Sequence, residues 1–241
     1  MSKSTKTVIG IPGRWPSRSD IVTSIASRSG GYLFAGMAMV KIGTKDGFTL
    51  EVYDRDPNLK NAFAIAGGGR FTDDDLDAIA SHTFTLYLAA DVVSVDAAKK
   101  LLHAANGLLK AGGLAVKIES TGVAHRADQW DEFCAHEHFG NLLGAYVTYV
   151  GGNGIYYSCG MHNLGHPDAF VDDAIPPDDA ARLLSTFVGY LLVENPKLSD
   201  RETFSVDVDA PRYRLFHEPC TTYEAGDLFH NPFGMWKLIP A

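Results

Sequence analysis

Two short stretches of the sequence concentrate side chains that could bind a metal ion or act as nucleophiles. The stretch SCGMHNLGHPD contains Cys159, His162, His166 and Asp168, and the stretch CAHEH begins at Cys134. Zinc in proteins takes cysteine, histidine and carboxylate ligands, usually three or four of them in a tetrahedron. The two stretches therefore raise the hypothesis of a metal-dependent enzyme.

The CAHEH stretch can supply two ligands at most from one face of a helix. Cys134 and His138 are four residues apart and would share a face, whereas His136 would point elsewhere. His136 and Glu137 are not followed by a histidine at the spacing of the His-Glu-x-x-His motif of the metalloproteases. We therefore predict that Cys134 is a buried helix cysteine and not a catalytic thiol.

The SCGMHNLGHPD stretch is predicted to be a turn. Cys159, His162 and His166 are three and four residues apart, which would align them on a helix, but two glycines and an asparagine lie among them and Pro167 follows them. We expect a buried Cys159 that ends a strand, followed by a turn whose histidines and Asp168 make local hydrogen bonds. The alternative is a metal-dependent hydrolase, or another small-molecule enzyme, that uses Cys159, His162 and His166.

Other catalytic and ligand-binding patterns are weak. There is no G-x-S-x-G nucleophile motif. Backbone N–H groups at Gly67–Gly69 could hold an anion, but the segment matches neither the phosphate-binding loop nor the dinucleotide fingerprint, and Asp73–Asp75 would repel phosphate. The leading interpretation therefore has no catalytic residue, no metal and no cofactor.

The composition is that of an ordinary globular protein. Of 241 residues, 46% are hydrophobic and 21% are charged, and no apolar run approaches the roughly 18 residues of a membrane helix. The N-terminus lacks the apolar core of a secretory signal, so we expect a cytoplasmic protein. The three cysteines are widely spaced, which favours free thiols over a disulfide framework.

The charge balance predicts the kind of partner. The formal net charge is −8, and the basic residues are scattered without a run of lysine or arginine. This balance disfavours binding to nucleic acid or to a membrane, and it favours electrostatic steering toward a protein with a basic surface.

The pattern of elements predicts an α+β fold, with helices packed on a mixed, mainly antiparallel sheet. Clear helices are expected near residues 17–29, 95–110 and 177–194, and paired glycines or an Asn-Pro pair mark their ends. The run Gly151–Gly154 between two β-rich segments predicts a hairpin.

Two expectations concern how the chain is divided and paired. We predict a main α+β domain over residues 71–241 and an N-terminal lobe over 1–70, either separate from it or continuous with it. The order strand, helix, strand from HTFTLYLAA to LAVKIES resembles a βαβ unit and predicts a parallel pair.

A partner surface would combine acidic residues with tyrosine anchors, because aromatic side chains often dominate protein interfaces. Tyrosines are expected on the hairpin, and aspartates cluster at the predicted starts of two helices and before the second of them. The predicted partner-binding residues are Asp73, Asp74, Asp75, Tyr146, Tyr149, Tyr156, Tyr157, Asp172, Asp173, Asp178 and Asp179.

Several stretches resemble bacterial proteins that carry the domain of unknown function 4261. They are LLKAGGLAVKIES, YYSCGMHNLGHPDAF, DDAARLLSTFVGYLL, DRETFSV and NPFGMWKL, and the resemblance spans roughly residues 70–241. The phrase GMHNLGHPD is the most specific of them. The family carries no assigned catalytic residues, so the resemblance implies none here.

The resemblance implies a function by analogy. Small, acidic, cytosolic α+β proteins of this sort are often antidotes encoded beside secreted bacterial toxins. We therefore expect a non-catalytic protein-binding protein, in the form of an immunity protein that neutralises a toxin domain with a basic surface by occluding its active site.

Overall fold

The computed structural model describes residues 5–92, 94–136 and 138–241, and these form an α+β fold with helices packed on two mostly antiparallel sheets. The predicted fold class is confirmed. The helices in the described residues are α1 (Arg18–Arg28), α2 (Leu59–Gly67), α3 (Asp73–Ala80), α4 (Val95–Lys110), α5 (Ala127–Ala135), α6 (Phe139–Tyr146) and α7 (Pro177–Glu194). The strands in these residues are β1 (Thr5–Gly13), β2 (Tyr32–Ala35), β3 (Ala38–Lys41), β4 (Gly47–Asp54), β5 (Phe84–Val92), β6 (Ala115–Ile118), β7 (Val123–Arg126), β8 (Thr148–Gly152), β9 (Ile155–Cys159), β10 (Asp168–Asp172), β11 (Thr203–Phe204), β12 (Tyr213–Glu218) and β13 (Met235–Pro240).

The chain divides into two units. The N-terminal unit is built from Lys6–Asp91 and the segment that begins at Asp96, and the C-terminal unit is built mainly from His138–Ala241. The boundary expected near residue 70 falls inside the N-terminal unit, because strands on both sides of it belong to one sheet.

The N-terminal unit contains a seven-stranded sheet in the order β2-β3-β4-β5-β1-β6-β7. The predicted parallel pair of β5 and β6 is wrong, since β1 lies between them and runs antiparallel to β6. Helix α4 covers the face that carries Tyr32: a methyl group on Gly107 would come within 3.0 Å of the Tyr32 ring. Its buried residues, such as Leu101 and Leu102, fill the core on this side.

The opposite face of this sheet is covered only in part. Helices α2 and α3 pack on β6 and β7 through a cluster that includes Phe63, Ile79 and Ala124. Ala124 is paired with Lys117, which in turn shares its side of the sheet with Gly10 of β1. Beyond this cluster, toward β5 and β4, the same face carries polar and aromatic side chains.

The C-terminal unit contains a six-stranded sheet in the order β11-β12-β13-β10-β9-β8. Helix α7 contacts β9 and β10, and its buried residues include Leu184, Phe187 and Val188. The predicted hairpin is confirmed as β8 and β9, joined at Asn153 and Gly154. Both of these residues have positive φ values, 54° and 80°, as a two-residue turn requires.

Local capping chemistry explains why the predicted helices form where they do. Ser17 caps α1 by accepting a hydrogen bond from Asp20 N, and Thr72 and Asp75 form a reciprocal capping box on α3. Asn195 ends α7 in the left-handed conformation. None of the described helices has the length and apolar character needed to cross a membrane.

Candidate partner-binding site

The SCGMHNLGHPD stretch forms the predicted strand end and turn. Cys159 is the last residue of β9 and is buried, and a single 3₁₀ turn follows at Met161–Leu164. Gly160 and Gly165 flank the turn with φ values of 123° and 81°, which only glycine adopts readily. The backbone therefore fixes the shape of this segment, as the sequence indicated.

Asp168 is the centre of a closed polar network after this turn. Its fully buried carboxylate accepts hydrogen bonds from Ser158 Oγ (3.0 Å), Met161 N (3.2 Å) and Asn231 Nδ2 (2.6 Å). Asn231 Nδ2 also donates to the His166 carbonyl at 3.0 Å. The network ties the turn to the loop before β13, and its geometry fits a structural role.

The alternative metal site is not assembled. Among the described residues, no three His, Cys, Asp or Glu side chains are placed to hold a metal ion. Burial, with a further contribution from Asp168, raises the pKa of the Cys159 thiol, which disfavours the thiolate that metal binding and nucleophilic attack need. His162 is fully buried in the 3₁₀ turn, and burial lowers the pKa of the half-buried His166.

The described residues of the CAHEH stretch lie at the end of α5 and the start of α6. Cys134 lies half-buried in α5, His136 follows that helix, and Nδ1 of His138 accepts the Asn141 N–H at the start of α6. Glu137 lies outside the described residues.

The predicted tyrosine anchors are dispersed. Placing Tyr146 on the hairpin was wrong: it lies in α6 and is fully buried, so it cannot reach a partner's surface. Tyr157 is also buried, and its hydroxyl pairs with that of Tyr223 at 2.9 Å. Tyr149 is partly exposed and Tyr156 is half-buried, and by strand alternation both lie on the other side of the hairpin from Tyr157.

The predicted aspartates are mostly exposed and are divided between the two units. Asp73 and Asp74 are exposed in the first turn of α3, whereas Asp75 is used in the capping box. The C-terminal unit holds the others: Asp172 and Asp173 at the end of β10, and Asp178 and Asp179 in the first turn of α7. Their role in partner binding stays a prediction.

A different part of the N-terminal unit brings acidic, aromatic and apolar groups together around the end of β4. Strand β3 pairs with β4 at Gly47–Thr49, whereas β5 pairs with it over Thr49–Asp54. The last backbone bond on the β3 side joins Leu50 N to Met37 O (2.9 Å) within the described residues. The edge of β4 at Glu51–Asp54 is therefore open to an added strand.

An apolar groove of about 500 Å³ borders this open edge. Val22 of α1 and Met37 of the β2–β3 turn line it, with exposed fractions of 41% and 61%. Phe34, Leu50 and Val52 also line it. Large apolar side chains exposed together at a strand edge are typical of a docking surface.

An acidic pocket of about 440 Å³ opens beside the same strand, on the uncovered face of the sheet. Tyr53 lies opposite Thr85, and Glu51 lies opposite Tyr87, so the four side chains point to one side. The pocket is lined by Val8, Glu51, Tyr53, Asp54, Asp56, Thr85 and Tyr87. We call the groove, the open edge and this pocket together the β4 site.

Electrostatics in the pocket favour a cation. Tyr53 donates a hydrogen bond to Glu51 at 2.8 Å, which raises the pKa of the Tyr53 hydroxyl. Burial raises the pKa of Tyr87 to about 12, and the nearby carboxylates of Glu119 and Asp56 contribute to the rise. The hydrogen bond to Glu51 and the smaller contributions of Glu119 and Asp56 place carboxylates close to the two tyrosine hydroxyls.

Gly10 allows two of these groups to lie over β1. A methyl group at this position would stand 2.8 Å from Glu119 Oε1 and 3.1 Å from the Tyr87 ring. Glu119 also pairs with Lys117 on the same face. The absence of a side chain at Gly10 therefore sets how closely Glu119 and Tyr87 approach each other.

Thr85 forms the floor of the pocket, and its hydroxyl is buried there. The residue is 2% exposed, and its Oγ1 has no hydrogen-bond partner among the described residues. A buried polar group left in this state costs roughly 1–3 kcal/mol. A ligand that reaches the floor would gain by pairing with it.

Sequence reasoning missed the β4 site although part of its signal was visible. Glu51 and Tyr53 alternate along β4, and Thr85 and Tyr87 alternate along β5, which indicates a polar, aromatic face on each strand. Neither segment alone specifies the strand register that sets these pairs opposite each other.

Comparison with known proteins supports the resemblance in one part of the chain. The family described as "Domain of unknown function (DUF4261)" matches residues 157–217, from β9 into β12. The matched segment includes the Asp168 turn and α7, and it does not include the β4 site. Searches of curated proteins and of solved structures returned no significant match.

Proposed function

We propose that the chain is a non-catalytic protein-binding protein that captures an extended, cationic segment of a protein partner at the β4 site. In its biological form we propose a cytosolic immunity protein that neutralises a secreted bacterial toxin by occluding the toxin's active site. The observation that carries the binding proposal is the open edge of Glu51–Asp54, with an apolar groove and an acidic pocket beside it.

The open edge supports this mode of binding because an extended segment can add to a sheet through its own backbone hydrogen bonds. Side chains of such a segment alternate between the two sides of the sheet. One set would contact Val22 and Met37, and the other would face Glu51 and Tyr87 on the acidic side. The backbone contacts supply affinity, and the two different pockets supply specificity.

The charge of the chain supports a basic partner. Its formal net charge of −8 would speed encounter with a positively charged surface, and the acidic pocket adds local complementarity. The toxin assignment depends on the family resemblance, which extends over residues 157–217.

The test begins with the secreted proteins encoded beside this chain. Each is purified and titrated with the full-length protein by calorimetry, and toxicity is measured with and without co-expression of this chain. We expect one tight complex and loss of toxicity. Met37→Asp, at an exposed groove position, should weaken that complex at least tenfold, because it places a charge in the apolar contact.

Val208→Asp is the matched control, since Val208 is an exposed apolar residue of the C-terminal unit and lies outside the β4 site. It should leave the affinity within about twofold. If no neighbouring-gene product binds, the immunity role is wrong. If a complex forms and Met37→Asp binds as tightly as the natural protein, or only Val208→Asp weakens the complex, the β4 site is not the interface.

A further inference from the structure

We propose that the acidic pocket of the β4 site is a subsite for a guanidinium group, so that the partner's anchoring residue is an arginine. This inference depends on the proposed function, because it names the side chain that the site receives. Its arguments are the arrangement of the two tyrosine rings, the carboxylates around them and the hydroxyl on the floor.

The tyrosine rings shape the walls of the subsite. The Tyr53 and Tyr87 rings meet edge to face, with centroids 5.3 Å apart and planes at 86°. Tyr53 is 52% exposed, so part of its surface is open to a ligand. A planar guanidinium stacks on an aromatic face and is less strongly hydrated than an ammonium group, which favours arginine over lysine here.

The carboxylates supply the complementary charge. Glu51, Asp54 and Asp56 line the pocket, and Glu119 is close enough to Tyr87 to perturb its hydroxyl. Guanidinium N–H groups form paired, charge-assisted bonds with carboxylates. Glu51 is best placed for such a bond, because its carboxylate already receives the Tyr53 hydroxyl on this face.

Two cations of the chain itself reduce this charge without filling the pocket. Arg18 pairs with Asp54 at 3.1 Å and lies over the Phe84 ring, and Lys117 pairs with Glu119. Four carboxylates against these two cations leave two negative charges in excess in this group. A ligand cation would bring the group closer to neutrality.

The floor of the subsite is the independent indication of a ligand. Thr85 Oγ1 is buried beneath the pocket and pairs with no group of the described chain. A hydroxyl oxygen accepts hydrogen bonds, and a guanidinium has N–H donors to spare after it has met a carboxylate. The hydroxyl that the chain leaves unpaired would then be paired in the complex.

The test uses the full-length protein and N-acetyl-L-arginine amide as the probe. Chemical shifts of the Thr85 methyl group and of the Tyr53 and Tyr87 rings are followed by NMR as the probe is added. N-acetyl-L-citrulline amide, which has nearly the same shape without the charge, and N-acetyl-L-lysine amide are titrated in parallel. We expect saturable shifts with the arginine probe, at least tenfold weaker binding of the lysine probe, and none with citrulline.

Two variants locate the effect. Glu51→Gln should reduce affinity for the arginine probe about tenfold, and Thr85→Val should reduce it about threefold to tenfold. Thr121→Val is the matched control: Thr121 is also buried, its hydroxyl also lacks a partner among the described residues, and it does not line the pocket. It should leave the affinity unchanged.

Absence of saturable shifts, equal shifts with the citrulline or lysine probe, or unchanged binding in both Glu51→Gln and Thr85→Val would overturn the subsite. These results are separable from the test of the proposed function, because Met37→Asp alters the groove and not the pocket. A partner complex that is weakened by Met37→Asp but not by Glu51→Gln would retain the docking site and remove the guanidinium subsite.

Discussion

The Asp168 network in the C-terminal unit and the β4 site in the N-terminal unit differ in whether the chain itself hydrogen-bonds their buried polar groups. Asp168 receives three hydrogen bonds from its own chain, whereas Thr85 Oγ1 receives none within the described residues. A polar group that is satisfied internally contributes to the fold, and one that is left unpaired at the floor of an open pocket is suited to an external ligand. The difference separates a structural cluster from the proposed binding site, although both contain carboxylates.

The network also explains the shape of the His- and Cys-rich stretch. Its glycines set the turn, Asp168 holds it, and the thiol of Cys159 is kept protonated by burial. The β4 site has no comparable cluster of reactive side chains. Its features are an open edge, exposed apolar groups and uncompensated charge, which suit recognition.

The largest change in the free energy of unfolding is expected when the closed network around Asp168 is disrupted. Asp168→Ala leaves Ser158 Oγ, Met161 N and Asn231 Nδ2 without their acceptor, and should lower the free energy of unfolding by about 3–5 kcal/mol at pH 4. Urea denaturation measures this change. Asp172→Ala, an exposed change on the same strand, should cost less than about 0.5 kcal/mol; equal effects of the two would mean that the network is not structural.

The pH dependence of stability tests the role of Asp168 in this comparison in a second way. Burial raises the pKa of Asp168 from 3.8 to about 6, and its hydrogen bonds only partly offset the rise. Because the folded-state pKa is the higher one, this group's contribution is fully present below about pH 4 and is lost as the pH rises through 6. The contribution is on the order of 3 kcal/mol.

Asp168→Asn cannot titrate at this position and is the reference for that measurement. Unfolding free energies of both proteins are compared at pH 4, 5, 6 and 7. The stability of the natural protein relative to Asp168→Asn should fall across this range. A constant difference would show that Asp168 does not change its protonation there.

A smaller effect is expected where Gly10 faces the acidic pocket. Gly10→Ala places a methyl group against the Glu119 carboxylate and the Tyr87 ring, and should cost about 1 kcal/mol because the carboxylate end can move aside. The displaced groups should also weaken binding of a cationic probe. Gly152→Ala, where no atom lies within 4 Å of the added methyl group, is the control for the loss of a strand glycine.

The smallest expected change in the free energy of unfolding is a gain and not a loss. Thr85→Val removes an unpaired buried hydroxyl at nearly constant volume, and should raise the free energy of unfolding by about 1 kcal/mol, or the Tm by about 2–4 °C. Thermal denaturation in the absence of ligand measures it. A loss of stability would mean that the hydroxyl is satisfied in the folded protein and would remove the contrast with Asp168.

Local signals in the sequence were sufficient for most elements. The caps of α1, α3 and α7 and the Asn153–Gly154 turn depend on residues close together in the chain, so they could be predicted. Tyr146 was expected on the hairpin, but its segment forms α6, and His138 caps this helix by accepting the Asn141 N–H. Histidine is not among the residues that usually cap a helix, so this start carries no clear local signal.

Long-range pairing could not be predicted from such signals. Placement of β1 between β5 and β6 joins segments that lie far apart in the chain, and no local residue specifies it. The β4 site has the same origin, since Glu119 approaches Tyr87 over Gly10, and Thr85 lies opposite Tyr53 only in the folded register. Its residues are ordinary in sequence and become a site through this register.

The open edge of β4 has a consequence for the protein in concentrated solution. Exposed strand edges can pair with the edges of other copies, and this is a common route to aggregation. Glu51 and Asp54 stand on this edge with further carboxylates close by. Like charges on two approaching copies repel each other, so the residues that favour a cationic partner also keep identical edges apart.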